Sequence, residues 1–395
     1  MNYAELNGIV KSGAALRCRV RLQPAGGEGD KVFPPTYAGA VYAIEKRRLP
    51  GYPQPVDCVL LDSVQSQANR LEEALQDAVD GGRIKIPVIE VDFSDIPVIE
   101  PGESGDGLFE PIGRITSLEA PHRVADAILR DSEMVTPDGV RLPFRETPQG
   151  KQISRANLRN ATPLFELCPT ALLLGLWDST GPKGGLGTKF QRALVSEIVG
   201  VDVSCGTKTS SRIDPLGIRK DAARIYETPD RGWTLTSAEA MVEKGKPKTK
   251  GADGKPSEIN HGNIVPSLSK VGSDGVPLAG GVTIAYAEQM TVISLPALRR
   301  LQFPIERKVA SEVNAAAQTV LAAMGICGAV LAAERGLDLR SRCLLWPSEP
   351  LLWDVLEGPG SPVKSIQLGA AQAIALLNDS VAEARRVGLP WMESA

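Results

Sequence analysis

Residues 15–22 read ALRCRVRL, with Leu16, Cys18, Val20 and Leu22 alternating strictly with Arg17, Arg19 and Arg21. Side chains of a strand point alternately to two faces, so this period of two predicts a half-buried strand. Its apolar face belongs against a core and its other face is basic. The 39 glycines and 30 prolines call for many turns rather than a helical bundle, and 395 residues suffice for a large core. The expected class is therefore α+β with long excursions.

The segment VDCVLLDS (56–63) reads as a short buried strand leading into a helix. Asp62 or Ser63 caps that helix, Val64, Ala68, Leu71, Leu75 and Val79 recur at helical spacing, and Gly81-Gly82 ends it. Gln65, Gln67, Asn69, Arg70 and Glu72 fall on its other face. RIKIPVIEVDF (83–93) reads as a strand, which makes strand, helix, strand: the first half of a ferredoxin-like unit. VTIAYAEQMTVISL (282–295), a long helix over 308–336 and a strand LDLRSRCLLWP (337–347) spell the second half. Joined, the two halves set Arg17, Arg19 and Arg21 beside Arg340 and Arg342. Two readings of that face stay open: a basic surface, or arginines opposed to acids.

The net charge of -3 and pI of about 5.7 give no global attraction to nucleic acid, so such a role must rest on local basic patches. Cys18, Cys58, Cys168, Cys205, Cys327 and Cys343 form no CxxC pair, and only His122 and His261 are available to join them. That usage fits reduced thiols and no metal site. The N-terminus lacks a basic-plus-apolar signal, and the apolar stretch around 315–333 is interrupted by Gly325 and Gly328, so the expectation is a soluble cytoplasmic protein away from membranes. The lysine-rich segment 243–263 reads as a solvated loop or as an arm touching nucleic acid.

LLLGLWDSTGPKGGLGTKFQRALVSEIVG (172–200) holds a glycine-rich loop. A phosphate-binding P-loop needs a lysine directly after its last glycine and then a hydroxyl, whereas here Gly187 is followed by Thr188 and only then Lys189. The spacing also misses the dinucleotide fingerprint. It predicts instead a helix capped by Thr188, with Gln191 completing a capping box and Phe190, Leu194, Ile198 and Val199 buried. Such an N-terminus with Lys183 and Lys189 favours an anion, with Asp178 ordering the loop; the other reading is a structural turn. Two distant histidines and no serine or cysteine elbow leave no catalytic constellation, and no cofactor motif is present.

LLDSVQSQANRLEEAL, PHRVADAILRDS and LGLWDSTGPKGGLGTKFQRALVSEIVG, in order across residues 61–200, resemble the CRISPR-associated RAMP backbone subunit (the seventh Cas family) of subtype I-G, formerly I-U, Cascade. The resemblance implies an RRM-like (ferredoxin-like) palm with large finger and thumb type insertions. Its halves are 1–95 and 282–350, the insertions 96–281 with the glycine-rich loop 178–189, and a C-terminal helical extension 351–395. It further implies a subunit that binds guide RNA (crRNA) without cutting it. Copies stack head-to-tail, target DNA is met through guide pairing, and the partners are other Cascade subunits in antiviral defence. The residues expected at the RNA are Lys183, Lys189 and Arg192, then Gln65, Gln67, Asn69 and Arg70, then Arg17, Arg19 and Arg21, with Lys208, Ser210, Ser211 and Arg212 in a polar-basic loop. The alternative is a RAMP-type endoribonuclease or a nucleotide-binding enzyme using the glycine loop.

Overall fold

A computed structural model describes residues 1–99, 107–136, 138–181, 187–269 and 279–392. The elements that place the site are α1 (Tyr3–Ser12), β1 (Ala15–Pro24), β2 (Ile44–Arg47), β3 (Val56–Asp62), α2 (Val64–Asp80), β4 (Leu176–Trp177), β5 (Lys189–Phe190) and β6 (Leu194–Val201). They continue with β7 (Lys208–Arg212), β8 (Ile264–Ser269), β9 (Tyr286–Ser294), α3 (Ser311–Glu334), β10 (Leu337–Arg340), β11 (Cys343–Pro347), β12 (Leu352–Leu356), β13 (Lys364–Gln367) and α4 (Ala370–Arg386).

Among the described residues, nine strands form one sheet ordered β10-β11-β1-β9-β6-β3-β2, with β12 pairing β1 and β13. Neighbours β11, β1, β9 and β6 are antiparallel and stand as last, first, third and second strands of a β-α-β-β-α-β unit whose helices are α2 and α3. This is the expected α+β, RRM-like core with insertions.

One sheet face is covered by helices. Leu16 and Cys18 of β1 join Leu71 and Leu75 of α2 and Leu321 and Met324 of α3 in one apolar core, and α4 and α1 pack on α3. Further along the same face, Val20 and Leu22 enter a second cluster with Val59, Leu61 and Ile198. The alternation read from ALRCRVRL thus places a single continuous inner face. α3 is long and apolar enough to cross a membrane (mean hydropathy 1.8), yet 94% of that window is buried within the fold, the position of a core helix. Gly325 allows its close approach to the sheet: a Cβ there would lie 2.9 Å from Leu194 Cδ1 and 3.0 Å from Ile293 Cδ1.

Five expectations are corrected. The span 83–93 is not a sheet strand; Glu90–Asp92 pairs only with Arg114–Thr116, while Ile84 and Ile86 are buried in the core without pairing. The second strand of the unit is β6, where the glycine-loop reading placed a helix. Burial alternates over Leu194–Glu197 and is complete over Ile198–Val201, and Val195, Val199 and Val201 are β-branched, so a strand forms once β9 and β3 pair on both edges. It follows that 96–281 is not one insertion: β6 divides it into excursions over 81–193 and 202–285. Finally, 337–347 is a hairpin of β10 and β11 with Arg342 at φ 61, and 351–395 begins with strands β12 and β13 before its helix.

Candidate nucleic-acid interface

The apolar turn Thr170–Leu174 is entirely buried, and Gly175, at φ 92, turns the chain out of the core into β4. β4 pairs with β5 so that Leu176 faces Phe190 inside, and Trp177 faces Lys189 outside. The Trp177 ring is 58% exposed and Lys189 Nζ stands 5.1 Å from its centroid, a cation–π geometry. The residues that flank the glycine-rich stretch are therefore paired strands, and no helix begins at Thr188. Thr188 caps no helix; its hydroxyl donates to Ser154 O at 3.2 Å and its carbonyl accepts from Asp178 N at 2.9 Å. Lys183 lies outside the described residues.

The mouth of the hairpin is clamped by arginines that the sequence reading missed. Arg145 Nη2 donates to both oxygens of Asp178, at 2.9 and 3.0 Å, and its Nη1 donates to Thr180 O at 2.8 Å. Arg130 Nη1 donates to Thr180 Oγ1 at 2.8 Å. Asp178 also accepts from Thr180 N and Oγ1, at the start of the glycine-rich stretch.

Beneath the hairpin lies a buried ion pair. Arg123, at φ 54, donates to Glu72 through Nε at 2.6 Å and Nη2 at 2.7 Å, and to Gly175 O through Nη1 at 3.2 Å. Burial pushes the Glu72 carboxyl up to about 7, against the pull of the Arg123 charge and the hydrogen bonds from Arg123 and Thr170. Desolvation thus consumes much of the pair's attraction, so its service is to hold α2 and the hairpin in register.

Beside β5 the surface sinks into a cavity of about 250 Å³. Buried Leu172, Phe190, Ala297 and Leu301 floor it, and exposed Lys189 and Arg300 stand on its rim. Arg192 is exposed just past it, its Cγ 2.9 Å from where a Cβ on Gly175 would sit.

The other expected contacts divide into three groups. On the open sheet face, Arg17 Nη2 reaches Asp354 at 2.7 Å, Arg19 Nε reaches Glu288 at 2.6 Å, and Arg21 lies over the Tyr286 ring at 4.4 Å. Arg47 meets Glu197 through both Nη atoms at 3.1 Å. Arg17 and Arg19 are opposed to acids, as in the second of the two open readings, while Arg21 rests on an aromatic ring. Arg340 does not join them; it bonds Asp62 at 3.3 Å on the buried side, and Arg342 lies over Phe33 at 4.2 Å.

On α2, Gln65 and Asn69 are exposed, while Gln67 and Glu72 are buried rather than solvated. Gln67 donates to Asp62 at 2.7 Å and accepts from Ser196 at 2.9 Å and Gln289 at 2.8 Å. Arg70 donates to Asp62 at 3.0 Å and Leu339 O at 2.6 Å. Both residues tie the helix to the sheet.

Lys208, Ser210, Ser211 and Arg212 sit on β7, whose partner β8 completes a two-stranded arm exposed on both faces. Arm and hairpin flank β6, which spans about 23 Å at the usual strand rise. The lysine-rich segment beyond the arm is folded, with Lys248 3.3 Å from Glu227 and Lys250 3.9 Å from the same residue. Among the described residues, no three His, Cys, Asp or Glu cluster as metal ligands.

No match was found among curated proteins. Residues 16–205, from β1 through β6 and including the hairpin, match the model of a family described as CRISPR-associated protein GSU0053, and this similarity over just under half of the chain supports a CRISPR-associated protein.

Proposed function

We propose that the chain is a non-catalytic, guide-RNA-binding backbone subunit of a subtype I-G Cascade complex. Copies stack head-to-tail along one crRNA, beside other Cascade subunits, and target DNA is recognised through pairing with the guide. The observation that carries this reading is the exposed Trp177 beside Lys189 on the paired strands β4 and β5, inside the segment that matches a CRISPR-associated family. A subunit that must hold guides of any sequence needs contacts indifferent to base identity. An aromatic face stacks with any base and a cation meets any phosphate.

The arm supplies a second set of cations and hydroxyls at the far end of β6, of the kind that engage phosphates and 2′-hydroxyls. In this reading the two excursions on either side of β6 take the finger and thumb roles, and the paired sheet arginines serve mainly to join β1 to β12 and β9.

The test is guide-RNA affinity measured against salt with the full chain. Phosphate contact predicts a steep fall, and Lys189→Ala reduces the log-log slope by about 0.7, the share of one phosphate on a single strand. Wild-type protein that binds no RNA, or that cuts guide RNA at specific positions when given magnesium, would overturn the proposal; the second result favours the endoribonuclease alternative.

A further inference from the structure

We infer that the cavity beside β5 receives one unpaired nucleobase of the bound strand, with the flanking phosphate on Lys189 and Arg300; this rests on the guide-RNA reading above. The cavity's floor is preformed. Leu172, Phe190, Ala297 and Leu301 are each at most 5% exposed; the first three come from a buried turn, a paired strand and a short helix, and Leu301 follows directly on the end of that helix. Its volume of about 250 Å³ lies just below the range of roughly 300–1,000 Å³ typical of small-molecule sites, which suits a single planar ring.

The charge is arranged to match. An apolar floor with cations only at the rim is complementary to a nucleotide whose base is apolar on its faces and whose phosphate is anionic. Gln191, also on the rim, offers both a donor and an acceptor, so it can meet the edge of a purine or a pyrimidine without selecting one. Lys189 is shared between this rim and the Trp177 ring. A strand laid over the hairpin therefore meets a stacking surface and a base cavity on either side of one phosphate-binding lysine.

The probe is a single-stranded RNA compared with its fully abasic counterpart, using the full chain. Ala297→Leu fills the cavity from its floor. It lowers affinity for the intact RNA about ten-fold, in line with the loss of one base contact, and leaves affinity for the abasic RNA unchanged. Arg300→Ala, at an exposed side chain that leaves the floor intact, lowers affinity for both RNAs and reduces the salt slope by about 0.7. A nucleoside monophosphate competes far more weakly than the intact strand.

The inference is overturned if Ala297→Leu binds the intact RNA as wild type does, if Arg300→Ala leaves the slope unchanged, or if the monophosphate competes as well as the strand, which indicates a free-nucleotide pocket. Wild-type protein that binds neither RNA overturns the guide-RNA reading itself, and this inference with it.

Discussion

The Arg123 guanidinium grips the Glu72 carboxylate through two bonds of 2.6 and 2.7 Å under the hairpin that displays Trp177, and its third donor holds Gly175 O. Side-chain exposures of 7% and 1% leave neither charge access to water. Truncating one partner strands the other as a buried ion, so Glu72→Ala lowers stability by about 3–5 kcal/mol. Urea unfolding measures this; a loss under 1 kcal/mol would mean that the site relaxes to admit water.

Trp177 behaves differently. Because its ring is largely exposed, Trp177→Ala changes stability by no more than about 0.5 kcal/mol. Guide-RNA affinity falls about ten-fold if the ring is a stacking surface. A thermal melt alongside filter binding separates the two, and an unchanged affinity removes Trp177 from the interface.

Asp354 links the open sheet face to pH. Burial pushes its carboxyl up, but hydrogen bonds from Arg17 and Ser365 and the Arg17 charge outweigh this and hold it below the ordinary carboxylate range. A carboxyl depressed in the folded state stabilises above its unfolded value of about 3.9, and that contribution disappears as pH falls through the folded value. Melting temperature should therefore drop below about pH 4, and the drop should be shallower in Arg17→Leu. Parallel acid profiles for the two proteins would rule out the pair as their cause.

Gln67 distinguishes a structural residue from a contact residue. Its amide joins Asp62, Ser196 and Gln289, so Gln67→Ala leaves buried polar atoms unpaired and lowers stability by about 1–3 kcal/mol. At a temperature where both proteins are folded, RNA affinity stays at the wild-type value. A lowered affinity would return Gln67 to the interface.

Where one period stood alone, the fold was legible. ALRCRVRL alternates and is β1; Ser63 caps the helix expected after it, and Gly81 ends that helix. Residues 188–201 were ambiguous because Phe190, Leu194 and Ile198 recur at intervals of four, which suits a helix face and is also an even spacing on a strand. Pairing with β9 and β3 resolves the choice. The glycine-rich loop reads as opening a helix at Thr188; the residues that follow it, Lys189–Phe190, are instead a strand that pairs with Leu176–Trp177 and sets Trp177 across from Lys189. No local pattern joins Arg300, Arg145 or Arg130 to that loop, since each reaches it only through the packing of separate elements.

The sequence by itself determined which faces of β1 and α2 carry the apolar residues, because side-chain periodicity is a property of each element alone. It also placed arginines on the outer face of β1. Only the tertiary structure decided what those charges meet: Arg17 finds Asp354 on a strand near the C-terminus and Arg19 finds Glu288 on β9. A side chain's charge is local, but whether it is neutralised or offered to a ligand depends on partners that long-range strand pairing brings within a few ångströms.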